Sequence, residues 1–190
     1  MSKIPTREEA YDLLTQYTKS ESLIKHALSV EGVMIHYAKE LGEDPHLWGI
    51  VGLLHDLDYE MYPDQHCKKV VEILEALDYD PVIIHAIVSH GYKICADVAP
   101  THLMEKVLYT TDELTGLVTA ASLMRPSKSV MDLTYSSLWK KYKNAKFAAG
   151  VDRKIIEDGC AMWGVELQPV IEEVITAMQG IADSIGLGMA

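Results

Sequence analysis

The chain has 190 residues and a formal net charge of −11, with 48% hydrophobic and 24% charged residues. This length predicts one domain with a core large enough to need no disulfide, and the composition is that of an ordinary globular protein. The negative charge disfavours binding to nucleic acid polymers or anionic membranes. Three widely spaced cysteines without a Cys-x-x-Cys motif favour a reducing compartment. Since we find neither a signal-peptide pattern nor an apolar run that could span a bilayer, we expect a cytoplasmic protein.

Apolar residues recur at helical spacing along most of the chain, in segments that begin near Pro, Ser, Thr or Asp. The pattern predicts an all-α fold, a single-domain bundle of roughly eight helices. The predicted helical segments are approximately 6–17, 20–41, 44–55, 63–77, 81–89, 100–123, 135–147, 152–163 and 168–185.

We expect one helical domain over residues 1–190, with a core at about 20–125 and a C-terminal helical extension at about 126–190. The tail 186–190 is expected to fray. Two glycines three residues apart, Gly49 and Gly52, lie inside the third predicted helix, where glycine is costly. They predict a neighbouring helix that approaches closely.

That third helix ends in an apolar run followed by His55 and Asp56. Adjacent helical side chains point about 100° apart, so both contact one ion only if it lies close to the helix. The remaining ligands must then come from other helices. His26 lies beside the apolar stripe of the second helix, and Asp112 has mostly apolar neighbours, where an unpaired carboxylate would be costly. The alternatives are a hydrogen-bonded structural imidazole for His26 and a surface carboxylate for Asp112.

On these residues the chain resembles the HD superfamily of metal-dependent phosphohydrolases, which are all-helical. The resemblance covers about residues 20–125 and rests on the segments LIKHALSV, GLLHDL and YTTDEL in that order. It implies that His26, His55, Asp56 and Asp112 ligate one divalent cation.

Two further histidines, His66 and His90, lie where some members of that superfamily bind a second ion. Those members often have a doubled histidine at the later position, whereas this chain has Ser89 before His90. We therefore expect one ion and keep two as the alternative. His85 lies about 140° around the helix from His90, so we favour His90. A nitrogen and oxygen ligand set favours Mn²⁺, Fe²⁺, Co²⁺, Ni²⁺ or Zn²⁺ over Mg²⁺.

The function implied is hydrolysis of a small phosphorylated metabolite or nucleotide by metal-activated water, as a phosphomonoesterase or phosphodiesterase. Asp58 and Glu60 follow the doublet closely, and we assign them as catalytic carboxylates, with a solvated acidic loop as the alternative. Arg125 and Lys128 are predicted to bind the phosphate, because Arg and Lys supply the positive charge that it needs. A basic stretch at 125–154 either attracts an anionic substrate or is a solvated helix face.

Two other function classes stay open. A non-catalytic sensor of nucleotides or small molecules would bind ligand and metal without turnover. A di-iron oxygenase-type enzyme would require both His66 and His90 as ligands. The oligomeric state has no signature in the sequence.

Overall fold

The structure is a computed structural model that describes residues 2–189, and these residues form nine α-helices and no β-strand. The predicted all-α class is confirmed. The helices are α1 (Arg7–Tyr17), α2 (Glu21–Leu41), α3 (Pro45–Leu54), α4 (Lys69–Ala76), α5 (Pro81–Ser89), α6 (Leu103–Leu123), α7 (Tyr135–Tyr142), α8 (Arg153–Trp163) and α9 (Leu167–Gly180). Among the described residues, no helix combines the length and the apolar character that a membrane span needs.

The segment predicted as one helix over 63–77 is split. A 3₁₀ turn at Pro63–Gln65 precedes α4, and between them Cys67 has a φ of 65°, which a right-handed helix does not tolerate. The split places His66 in the connecting turn rather than on a helix face.

Helices α2 and α3 pack together more extensively than any other pair in the described chain. A Cβ atom added at Gly52 would lie 2.9 Å from the carbonyl oxygen of Val30 and 3.0 Å from Cα of Glu31. The predicted close approach is therefore confirmed, and the neighbour is α2. Since His26 lies one turn before Val30 and His55 three residues after Gly52, this contact sets the distance between the two histidines.

Helix α6 packs against α2 on one side and α8 on another, and α9 covers both α2 and α6. At Gly159 of α8, an added Cβ would lie 2.8 Å from Cα of Thr110, so α8 approaches α6 closely near Asp112. Asp112 lies two residues beyond this contact on α6, and its carboxylate faces His26 of α2.

The prediction of a frayed tail is wrong at Leu187, whose side chain is buried. Its carbonyl oxygen accepts hydrogen bonds from the Val130 N–H at 3.0 Å and the Ser129 hydroxyl at 2.7 Å. The apolar side chains of Ile185 and Leu187 fix the tail on the bundle, and Ala190 lies outside the described residues.

The Gly52→Ala variant should lower the free energy of unfolding by about 1–3 kcal/mol, because the new methyl group meets backbone atoms that cannot rotate away. Urea denaturation measures the change. The matched control is Gly180→Ala at the end of α9, where an added Cβ meets no atom within 4 Å. That control should be neutral or stabilising by up to about 1 kcal/mol, and equal losses in the two variants would contradict the assignment.

Candidate metal centre

Three of the site histidines are oriented through their Nδ1 atoms. Nδ1 of His55 lies 2.7 Å from the carbonyl oxygen of Gly52, and Nδ1 of His90 contacts the carbonyl oxygen of Ile87. Nδ1 of His66 lies 2.7 Å from Oδ1 of Asp58. Since these partners accept hydrogen bonds, each Nδ1 carries a proton, and Nε2 is the ring atom left to bind a metal. This is the arrangement that metal-binding imidazoles use.

The Nε2 atoms of His26 and His55 meet two carboxylate oxygens. Oδ1 of Asp112 lies 3.0 Å from Nε2 of His26 and 3.3 Å from Nε2 of His55. Oδ2 of Asp56 lies 3.5 and 3.4 Å from the same two nitrogens, which are 3.2 Å apart. We call these four atoms the first donor group.

The other oxygen of Asp56 faces a different pair of histidines. Oδ1 lies 3.2 Å from Nε2 of His90 and 3.5 Å from Nε2 of His66. We call these three atoms the second donor group. Asp56 therefore contributes one oxygen to each group, and the rings of His55 and His90 lie 5.1 Å apart at the junction.

The spacing of the donors fits a cation. Ligand atoms about 2.1 Å from one ion lie about 3.0–3.4 Å from each other in octahedral or tetrahedral geometry. The distances within both groups run from 3.0 to 3.5 Å, which is within or just above this range, and His55 and His90 are buried. Nitrogen and carboxylate oxygen are donors that divalent transition metals accept. The six residues therefore fit one or two such ions.

The electrostatics of the site favour the binding of a positive charge. Burial raises the pKa of Asp56 and Asp112, but the neighbouring imidazoles, His55 first, lower it more, and both carboxyls have a pKa below the ordinary value. Burial lowers the pKa of His55, but Asp56 and Asp112 raise it well above the ordinary value. The two carboxylates are thus ionised, and the site stabilises positive charge between them.

A cavity of about 340 Å³ opens onto both donor groups, with His26, Asp56, His66, His90 and Asp112 in its wall. The described residues that line it include no Lys or Arg. Its remaining wall is mostly apolar and aromatic, from Leu23, Tyr59, Ile94, Tyr109, Val151 and Ile155.

Glu113 also lines this cavity, and the sequence assigned it no role. Burial and the charge of Asp112 raise its pKa. One of its oxygens accepts a hydrogen bond from the N–H of Asp152 at 3.0 Å. Consecutive residues of a helix point in different directions. The apolar neighbours that predict burial of Asp112 therefore do not predict where the side chain of Glu113 lies.

The two carboxylates assigned as catalytic lie elsewhere. Asp58 is buried behind His66, and its second oxygen accepts a hydrogen bond from the N–H of Val70 at 2.8 Å. Glu60 accepts hydrogen bonds from the N–H groups of Lys19 and Ser20 at the start of α2. Both carboxylates are occupied by these contacts, and neither lines the cavity, so the geometry corrects the catalytic assignment to a positioning and a capping role.

Arg125 and Lys128 do not reach the cavity either. Arg125 lies thirteen residues beyond Asp112, about 20 Å along the helix direction. Its guanidinium contacts Asp132 at 2.7 Å and the hydroxyl of Ser137 at 3.1 Å. Lys128 is exposed in the following loop, with a φ of 50°. Their assignment as phosphate-binding residues does not fit this geometry.

The remaining histidines have partners outside the centre. Nδ1 of His85 lies 2.6 Å from Oε1 of Glu105, and Nε2 of His36 lies 2.6 Å from Oε2 of Glu173. The choice of His90 over His85 from the helical angle agrees with these positions.

Comparison with known proteins gives one match. A family model described as HD domain matches residues 23–117, half of the chain. Neither the curated proteins nor the solved structures contain a match.

The Asp58→Asn variant should bind a cation at the second donor group about 10–100-fold more weakly, because His66 loses the charged partner that orients it. Calorimetric titration with Mn²⁺ measures the affinity. Glu60→Gln is the control, since it changes a carboxylate at the start of α2 and leaves both donor groups intact. An Asp58→Asn protein that binds Mn²⁺ as tightly as this control would contradict the positioning role.

Proposed function

The chain belongs to the HD domain family, and from this premise we propose that it hydrolyses the phosphate ester of a small molecule with two divalent cations. The family consists largely of metal-dependent phosphohydrolases. The observation that supports two cations, rather than the single ion expected from the sequence, is that Asp56 directs its two oxygens at separate histidine pairs. A carboxylate in that arrangement is suited to bridge two ions.

The first cation would be held by His26, His55, Asp112 and one oxygen of Asp56. The second would be held by His66, His90 and the other oxygen of Asp56. When bound, the cations supply Lewis acidity, which lowers the pKa of water toward neutrality and withdraws charge from the phosphoryl oxygens.

The protein contributes orientation and proton transfer. Asp58 and the carbonyl oxygens of Gly52 and Ile87 hold the Nδ1 atoms of three histidines, so that their Nε2 atoms point into the donor groups. Glu113 is the carboxyl of the cavity wall that belongs to neither donor group, and we assign it the proton transfer to the leaving oxygen.

The size and charge of the cavity suggest the substrate class. A volume of about 340 Å³ is at the small end for ligand pockets and suits a phosphate group with a small organic part. An adjoining groove of about 490 Å³ shares His66, Ile94 and Cys95 with the cavity. The groove also contains Lys68 and Lys93, which would contact further negative charge, as in a nucleotide.

A di-iron oxygenase remains the second candidate, because a cavity without Lys or Arg among its described lining also suits a substrate of low charge. It requires iron and an oxygen-dependent product. A sensor on the same scaffold would bind nucleotide without product. Product analysis with Mn²⁺ or Fe²⁺, in air and under argon, separates the three.

Protein loaded with Mn²⁺ or Co²⁺ should hold two ions and hydrolyse p-nitrophenyl phosphate or bis-p-nitrophenyl phosphate. His55→Ala and Asp56→Ala should abolish hydrolysis and lower the metal content, because each removes a donor that the other residues cannot replace. Elemental analysis and release of p-nitrophenol measure the two effects. His85→Ala, which changes a histidine paired with Glu105, is the control and should match the wild type.

For Glu113→Gln we expect kcat to fall by about 10²–10⁴-fold while the metal content stays unchanged, since only proton transfer is removed. The loss should be smaller for p-nitrophenyl esters, whose leaving group needs little protonation, than for an alkyl phosphate. Equal losses for both esters, or no loss for either, would refute the role of Glu113.

A further inference from the structure

Cys67 and Cys95 form a pair of thiols beside the second donor group, and no step proposed above uses them. Their sulfur atoms lie 2.8 Å apart, although 28 positions separate the residues in the chain. Both are free cysteines. The contact joins the turn before α4 to the loop after α5.

The backbone leaves room for this pair. A Cβ atom at Gly91 would collide with both sulfur atoms, so glycine at this position is what permits the contact. Cys67 itself has a φ of 65°, a conformation that side chains other than those of Gly, Asn and Asp adopt rarely. Local strain of this kind persists where the surrounding structure imposes it, and it points to a functional constraint.

The pair is connected to both histidines of the second donor group. Cys67 directly follows His66, and Gly91, which contacts both sulfur atoms, directly follows His90. Apart from Asp56, which both groups share, the residues of the first donor group lie on α2, at the end of α3 and on α6. A covalent change in the thiol pair therefore acts on the second group more directly than on the first.

We propose that Cys67 and Cys95 are a redox-active dithiol whose oxidation to a disulfide weakens cation binding at the second donor group. The effect on the cation rests on the proposed function, whereas the thiol chemistry does not. A disulfide has a sulfur–sulfur distance of about 2.05 Å, so the sulfur atoms must approach each other, and the turn before α4 and the loop after α5 are drawn together. Metal–ligand distances in proteins lie within about 0.2 Å of their usual values, so such a shift next to His66 and His90 would weaken their binding of a cation.

The oxidant in this step is a small-molecule disulfide, such as glutathione disulfide. Cys95, which lines both the cavity and the adjoining groove, attacks one of its sulfur atoms, forms a mixed disulfide and releases one thiol. The buried Cys67 then attacks the sulfur of Cys95 and releases the second thiol. The two protein thiols lose two electrons and two protons, which reduce the small disulfide to two thiols.

The coupling must be reciprocal: a cation at the second group makes the dithiol harder to oxidise by the factor by which the disulfide weakens the cation. The test equilibrates the whole protein in glutathione redox buffers with and without Mn²⁺. Alkylation and peptide mass spectrometry give the fraction of the Cys67–Cys95 disulfide, and elemental analysis gives the bound metal. We expect a reversible disulfide, a shift of about tenfold or more in its equilibrium constant with Mn²⁺, and one Mn²⁺ fewer in oxidised protein.

Two variants serve as controls. Cys95→Ser, at a partly exposed position, should form no such disulfide and keep both ions in every buffer. Cys160→Ser, which changes the thiol on α8, should behave as the wild type.

Absence of the Cys67–Cys95 disulfide at every buffer ratio would overturn the proposal that the two thiols are redox-active. A disulfide that leaves both the metal content and the equilibrium constant unchanged would overturn the coupling. Reduced protein that binds a single Mn²⁺ would contradict the proposed function and the coupling with it. The fraction of disulfide formed without metal reports on the thiol chemistry alone. It therefore distinguishes a failure of the proposed function from a failure of the thiol chemistry.

Discussion

The carboxylate of Asp56 imposes the main constraint on this structure, because its two oxygens face two different sets of imidazole nitrogens. A half-buried carboxylate with four histidines around it is stable only if positive charge lies close to it. Protonated imidazoles supply some of that charge, as the raised pKa of His55 indicates. Cations would supply it without repulsion between neighbouring protonated rings, which supports the proposal that two metal ions bind here.

The helices position the donor residues by packing closely against each other at a few glycines. Gly52 lets α3 touch the backbone of α2, and Gly159 does the same between α8 and α6. The first contact fixes His26 relative to His55, and the second holds α8 against α6 two residues before Asp112. Short polar contacts then orient the rings, with Asp58 behind His66 as the clearest case. The site is therefore held by rigid elements for its first donor group and by turns for its second.

The sequence predicts the fold well, and it names the four residues whose donor atoms the structure brings together as the first donor group, for identifiable reasons. Helical periodicity and helix-start residues are local signals, and the order of His26, the His55-Asp56 doublet and Asp112 is typical of the HD family. Asp58 was assigned as a catalytic carboxylate and its contact with His66 was missed, because that contact depends on the turn at Cys67, where a positive φ redirects the chain. The phosphate-binding assignment of Arg125 does not fit the structure, because the thirteen residues between it and Asp112 extend along the helix direction and carry Arg125 away from the cavity. Glu113 was missed since helix packing around α6, and not residue type, decides that it faces the cavity. The donor roles themselves remain predictions.

The division between the two donor groups also explains why the thiol pair is proposed to act on one ion. Cys67 and Gly91 adjoin the histidines of the second group, while α2 and α6 supply the first. The proposed two-cation site depends most on Asp56 bridging two ions. Electron paramagnetic resonance of protein with two equivalents of bound Mn²⁺ tests this directly. A bridging carboxylate predicts the signal of an exchange-coupled pair of Mn²⁺ ions, whereas the hyperfine pattern of isolated Mn²⁺ would contradict it.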